Sequence, residues 1–204
     1  MQQHRFWDKM AARYAARPIG DQAAYEVKIG KTRAHLTPKS RVLEIGCGTG
    51  STAILHAPFV ASYLATDFSG EMIAIAKGKA AEATNLTFQH RAIADIGVQD
   101  GPFDVVMGHS VLHLLTDWQA VSRRVFDLLE PGGVFITSTA CIKEFTPLIR
   151  PLLTLGQWLG KVPDVAVFSK DTLGRGMQDA GFQLEEVWQP KPRAAVFIVA
   201  RKPG

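Results

Sequence analysis

Cysteine is scarce: the 204 residues contain two, Cys47 and Cys141, with no CxxC spacing and no histidine cluster beside them. That argues against a disulfide framework and against a zinc site, and it fits a reducing, cytoplasmic setting. No run approaches the ~18 apolar residues that span a membrane. The opening MQQHRFWDKMAARYAARP lacks the apolar centre of a secretory signal. Charge of one sign is thin too. Lys and Arg exceed Asp and Glu by 23 to 19, far short of the clustered basic face of a dedicated nucleic-acid binder, so no nucleic-acid partner is expected. Internal repeats and low-complexity segments are absent. What is present is a chain 47% apolar and 21% charged, the make-up of one soluble globular domain over 1–204.

From Arg41 onward, short β-branched or apolar runs alternate with helical patterns, the order of a mostly parallel sheet covered on both faces. Strands are expected near 41–45, 60–66, 86–90, 103–108 and 133–139. Ser69 is placed to cap the helix holding Met72, Ile73 and Ala76, and Thr116 and Gln119 have capping-box spacing ahead of Val121, Val125 and Leu128. Ser169 is placed to cap a helix that Gly181 ends. Two last strands near 182–188 and 194–201 are joined by QPKPR, short enough for an antiparallel hairpin and too short for a crossover helix. Two regions stand outside the alternation. Residues 1–38 open with an amphipathic helix whose Phe6, Met10 and Tyr14 fall four apart on one face. Residues 141–168 are leucine-rich but broken by Pro147, Pro151, Gly156 and Gly160, which marks a hydrophobic insertion.

The chemistry concentrates at VLEIGCGTGSTA, Val42 to Ala53, a buried strand running into glycines at alternate positions and then into a helix. A P-loop would need Lys before its Ser or Thr, and Gly50 is followed directly by Ser51 and Thr52. A GxGxxG dinucleotide turn would put its third glycine at position 51. The spacing here is GxGxG, Gly46, Gly48 and Gly50, which lets the backbone lie against a ligand that need not be a phosphate. About 20 residues on, Asp67 sits at the tip of the second strand. A carboxylate there can accept from both hydroxyls of a ribose while Phe68 packs on the attached base. This is a nucleoside site.

These residues resemble the class I S-adenosylmethionine-dependent methyltransferases, in particular the small single-domain ones acting on small molecules or lipids. The resemblance covers nearly the whole chain: EIGCGTG at 44–50 is similar to the cofactor loop, Asp67 to the ribose-binding acid, FDVVMGHSVLHLL at 103–115 to the fourth strand and its loop, and LLEPGGVFITS at 128–138 to the fifth strand. FWDKMAARYAARP resembles the N-terminal lid helix. The resemblance implies an α/β, Rossmann-like seven-stranded sheet in the order 3-2-1-4-5-7-6 with strand 7 antiparallel, and S-adenosyl-L-methionine as cofactor. One departure stands out. Many relatives carry Gly-Asp after the third strand, where this chain has Arg91-Ala92-Ile93-Ala94-Asp95, leaving the backbone at Ile93 to contact adenine and Asp95 as a candidate replacement acid.

On that footing the candidate cofactor contacts are Tyr14, Glu44, Gly46, Cys47, Gly48, Gly50, Asp67, Phe68, Met72, Ile93 and His109. Glu44, an acid at the end of a buried strand, must be paired, and orienting the cofactor's amino group would explain it. Cys47 contributes through its backbone, since no activating base is near. Relatives place a pocket-lining residue at His109, which is also the candidate catalytic base, and a tyrosine like Tyr14 over the cofactor's carboxylate end. His113, in VLHLL, reads as a buried hydrogen-bonded histidine bordering the substrate pocket. The i, i+4 pair His109 and His113 has no third ligand, so no metal is expected. After the fifth strand, Phe145, Leu148, Leu152, Leu153 and Trp158 would either form a satellite core or roof the substrate pocket. The implied activity is methyl transfer to a small, partly hydrophobic acceptor. Two other readings stay open: peripheral membrane contact with methylation of a lipid or isoprenoid-like acceptor, motivated by the basic aromatic N-terminal helix, and a non-catalytic cofactor-binding protein.

Overall fold

The computed structural model describes residues 3–80, 83–144 and 162–204. Phe145, Leu148, Leu152, Leu153 and Trp158 lie outside the described residues. The elements run α1 (Gln3–Ala15), α2 (Gln22–Arg33), β1 (Arg41–Ile45), α3 (Ser51–His56), β2 (Ser62–Asp67), α4 (Gly70–Lys79), β3 (Leu86–His90), β4 (Phe103–His109), α5 (Trp118–Leu128), β5 (Leu129–Thr139), α6 (Lys170–Asp179), β6 (Gln183–Trp188) and β7 (Val196–Arg201). The seven strands form one sheet in the order β3-β2-β1-β4-β5-β7-β6. β1 to β5 pair in parallel, and β7 inserts antiparallel between β5 and β6. The chain moves outward from β1 to β2 and β3, then returns to lay β4 on the other side of β1. That reversal opens a crevice at the carboxyl ends of β1 and β4, where open α/β sheets bind ligands.

Alternation along the buried strands sends side chains to two cores. Leu43, Ile45, Val106 and Phe135 pack toward α5 and α6, against Trp118, Val125, Leu173 and Met177. Val42, Val105, Met107 and Ile136 pack toward the opposite layer, with Ala53 of α3 and Ile73 and Ala76 of α4. Covering on both faces explains why the central strands read as continuous apolar runs.

Ser69 caps α4, its Oγ accepting from Met72 N at 3.2 Å, and Ser169 caps α6 through Thr172 N, also at 3.2 Å. The cap of α5 differs from expectation. Asp117, not Thr116, accepts from Ala120 N at 3.0 Å, because the helix begins one residue later and a carboxylate in that position satisfies an orphan N–H. β5 also begins earlier than expected, at Leu129, so the Glu130-Pro131-Gly132-Gly133 stretch lies within the strand. Its pairing with β4 shifts register between Phe103 and Val105, which accommodates the irregular start. On α1 the residue sealed against the body is Ala11, 2% exposed, while Phe6 and Met10 are half-buried and Tyr14 is 45% exposed. α1 is held to the start of α4 by Asp8, whose Oδ1 accepts from Ser69 Oγ at 2.6 Å. α2 is tied to the far edge of the sheet by ion pairs from Lys31 to Glu186 and from Lys191 to Asp21.

Candidate active site

The turn after β1 is made by left-handed glycines, with φ of +64° at Gly46, +54° at Gly48 and +75° at Gly50, a region costly for residues bearing a Cβ. The three differ in what surrounds them. A Cβ on Gly46 would come within 2.6 Å of Val111 Cγ2, and one on Gly50 within 2.7 Å of the Phe88 ring. A Cβ on Gly48 would meet nothing closer than Tyr14 Cε1 at 3.7 Å. Gly46 and Gly50 are therefore required by packing, whereas Gly48 leaves open space over the crevice.

Asp67, 6% exposed at the tip of β2, closes the turn from the side. Its Oδ2 accepts from Gly48 N and its Oδ1 from Ser69 N, both at 2.9 Å. The carboxylate thus fixes the glycine turn and the start of α4 together, and each oxygen keeps a further lone pair for a ligand hydroxyl. Burial raises its pKa, and the bonds from Ser69 and Gly48 oppose that rise.

A cavity of about 510 Å³ spreads from this point along the carboxyl edge of the sheet. At one end it is lined by Gly46, Gly48, Asp67, Phe68 and Met72, with Tyr14 and Trp7 of α1 above. His109, Ser110 and Val111, following β4, form its middle. At the other end stand His113 and Leu114, then Ala140, Ile142, Pro163 and Val165 from the two described flanks of the insertion. Ala166 N donates to His113 O at 2.8 Å and Lys143 N to Phe168 O at 3.2 Å, strapping those flanks over the β4 loop.

Five residues expected at or near the cofactor lie elsewhere. Cys47 and Gly50 build the turn from behind, through Cys47 N donating to Thr66 O and Gly50 N to Cys47 O, each at 3.0 Å. Burial pushes the Cys47 thiol well up, so no thiolate forms. Ile93 packs against the core on the α5 side and does not line the cavity. Asp95 is exposed and accepts from its own Ala92 N at 3.3 Å. Glu44, 2% exposed, is turned away from the cavity into the layer beneath, where its Oε2 accepts from Tyr63 Oη at 2.8 Å.

Burial pushes the Glu44 carboxyl up to about 8, the Tyr63 hydroxyl partly offsets the rise, and the nearby Asp67 adds to it. The folded chain holds this proton more tightly than the unfolded chain does. The stability it contributes is complete below about pH 4.5 and drains by roughly 1.4 kcal/mol per unit as pH rises toward about 8. Glu44→Gln, which keeps an acceptor for Tyr63, should remove that slope. Urea unfolding of both proteins from pH 5 to 8 should show the variant gaining on the wild type at each step, and a constant difference would contradict the assignment.

His109 ends β4 with its ring stacked on Phe197, 6.5 Å between centroids. Burial, with help from Lys28 and His56, pushes its pKa down to about 3, which makes it a poor proton acceptor at neutral pH. This shift weighs against the base expected at that position. His113 is half-buried, its Nδ1 sealed without a hydrogen-bond partner, where a hydrogen-bonded histidine was expected. Sequence reasoning missed Trp7, Ser110 and Val111. Ser110 is a non-glycine residue at φ +56°, pinned by its N donating to Ser138 O at 2.7 Å. Strain of this kind gathers at ligand sites, but no composition signal announces it. Among the described residues, no group of three His, Cys, Asp or Glu side chains could hold a metal ion, and no helix is long and apolar enough to cross a membrane.

The sheet order, with a glycine turn and a carboxylate at its switch point, is that of the class I S-adenosylmethionine-dependent methyltransferases. Comparison with known proteins agrees. A family model described as a methyltransferase domain matches residues 42–133. The chain is 28% identical over 194 residues to the ubiquinone biosynthesis O-methyltransferase of Xanthomonas axonopodis pv. citri, covering 90% of this chain and 78% of that one. It is 33% identical over 144 residues to the tRNA 5-carboxymethoxyuridine methyltransferase of Escherichia coli, covering 65% and 55%. It is 27% identical over 181 residues to a highly reducing polyketide synthase of Purpureocillium lilacinum, covering 80% of this chain and spanning 7% of that one. The solved DhpI–SAH complex shares the fold, with a TM-score of 0.79 at 22% identity over 99% of this chain and 96% of that one. The family match, the relatives and the shared fold support a class I S-adenosylmethionine-dependent methyltransferase.

Proposed function

We propose that the protein transfers the methyl group of S-adenosyl-L-methionine to a small, partly hydrophobic acceptor, in a cytoplasmic setting. The observation that carries this reading is the continuity of one cavity, polar and glycine-lined beside Asp67 and apolar between His113 and Val165. A nucleoside with a charged tail fits the first end and an apolar acceptor the second. In this reading Asp67 holds the ribose hydroxyls, Gly48 leaves room for the ligand, and Phe68 and Met72 flank the base. Tyr14, at the mouth, covers the amino-acid end.

Bound S-adenosylmethionine supplies an activated sulfonium methyl, so the chain's task is alignment and exclusion of water. Ser110 and Val111 hold the middle of the cavity, and the strapped insertion flanks shield it. The described lining residues include no Lys or Arg, which favours a diffusible acceptor over tRNA phosphates.

Incubation with methyl-labelled S-adenosylmethionine, an organic-solvent extract of small molecules and bulk tRNA tests the reading. Label should enter organic-soluble products of low mass. Label in tRNA would replace the proposed acceptor class, and tight cofactor binding with no labelled product would favour a non-catalytic binder.

A further inference from the structure

Ser69, fully buried, touches Asp67 on one side and α1 on the other. Its N donates to Asp67 Oδ1 at 2.9 Å, and its Oγ donates to Asp8 Oδ1 at 2.6 Å while accepting from Met72 N at 3.2 Å. A hydroxyl has a single hydrogen, so the bond to Asp8 takes the only one that Ser69 Oγ can give. Its length is that of a hydrogen bond to a carboxylate, roughly twice as strong as a neutral one. Glu71 N, in the first turn of α4, approaches the same Asp8 oxygen at 3.4 Å, and the positive end of that helix favours a carboxylate there.

Asp8 anchors the part of α1 that reaches the cavity. Trp7 and Tyr14, two helical turns apart on nearly the same face, meet edge to face with 6.1 Å between centroids, and both line the cavity. Asp8 adjoins Trp7, and Ala11, one turn further on, is sealed against the body. Tyr14 Cε1 stands 3.7 Å from the place a Cβ on Gly48 would take. Burial, and then the charges of Asp67 and Glu44, raise the Tyr14 phenol above its ordinary value, so its hydroxyl keeps its hydrogen near pH 7. Ser69 thus joins the carboxylate at one wall of the cavity to the helix that carries both rings.

Resting on the cofactor site proposed above, we infer that Asp8 is a positioning residue for S-adenosylmethionine: through Ser69 it keeps α1 docked, and docking of α1 and occupation of the site beside Asp67 strengthen each other. Asp8 is not among the residues that line the cavity. It acts by holding Trp7 and Tyr14 over the site, and apparent affinity falls as the docked fraction falls. Linkage makes the effect reciprocal. The factor by which docking strengthens cofactor binding is the factor by which the cofactor strengthens docking. Ala is a better helix former than Asp, so a loss of affinity in Asp8→Ala reports docking and not melting of α1 through lost propensity.

The test combines calorimetric titration of S-adenosylhomocysteine into the full chain with amide hydrogen exchange. Asp8→Ala should bind it about tenfold more weakly. Asp8→Asn, which keeps an oxygen for Ser69 Oγ–H without the charge, should fall between Asp8→Ala and the wild type. Lys9→Ala, on the exposed face of α1, should match the wild type. A helix of 13 residues is marginal in water on its own, so α1 amides exchange when α1 undocks. In the unliganded Asp8→Ala variant they should exchange faster, with β1 and β4 as protected as before. In the wild type, saturating S-adenosylhomocysteine should slow α1 exchange by at least the factor of affinity that Asp8→Ala loses. Wild-type affinity in Asp8→Ala, an Asn variant no better than Ala, or α1 amides indifferent to bound S-adenosylhomocysteine would each overturn the inference. The last is read on the wild type and holds even where a variant fails to fold. Failure of the wild type to bind S-adenosylhomocysteine would instead strike at the cofactor site and the proposed function beneath it.

Discussion

Asp67→Ala is expected to weaken binding of S-adenosylmethionine by roughly 2–4 kcal/mol, about 30- to 1000-fold. Two effects combine. The ribose hydroxyls lose a charged acceptor, and the glycine turn loses the carboxylate that holds Gly48 N at 2.9 Å. Because Asp67 also bonds Ser69 N, at the cap of α4, the variant should lose about 1–2 kcal/mol of stability while remaining folded. Calorimetric titration of the cofactor, with circular dichroism as the control for folding, measures both. Unchanged affinity in a folded variant would remove Asp67 from the site.

Gly50→Ala is expected to be the most destabilising single methyl in the turn, by about 2–4 kcal/mol. The residue holds φ +75° and its new Cβ would press on the Phe88 ring at 2.7 Å and on Ala76 Cβ at 2.9 Å. Both neighbours belong to the buried core, and neither is the far end of a flexible chain. Gly48→Ala should behave differently. It carries only the left-handed strain, about 1–2 kcal/mol, because its surroundings are open, but it fills the space over the crevice and should reduce cofactor affinity. Urea midpoints of the two variants, beside their cofactor titrations, separate the packing glycine from the ligand-facing one. Equal stability losses, with equal losses of affinity, would erase the distinction.

The central strands were legible because they are buried on both faces and carry short apolar runs, as in Val105–Met107 of β4 and Val134–Ile136 of β5. The antiparallel pair was legible from the shortness of the segment between Trp188 and Val196. The cap at Asp117 was less so, since Thr116 and Asp117 are both good caps and the choice depends on where the chain leaves the β4 loop. Glu44 shows the limit more sharply. Its acidity and its place on a buried strand were plain, but its partner Tyr63 lies on the neighbouring strand, and which face of β1 the side chain takes is fixed by the register with β2. Trp7 was hidden in the same way: its neighbours Phe6 and Met10 carry the helical periodicity, while the orientation of α1 over the crevice is set by Asp8 reaching Ser69. Ser110 and Val111 gave no signal at all, because their place in the cavity depends on the backbone reversal after β4.

The central claim is that Gly48, Asp67 and the β4 loop hold S-adenosylmethionine at the sheet's switch point. Calorimetric titration of S-adenosylhomocysteine into the wild-type chain, repeated in excess NAD, tests it most directly. The account predicts one molecule bound per chain, with NAD neither binding nor competing; absence of S-adenosylhomocysteine binding, or its displacement by NAD, would contradict it.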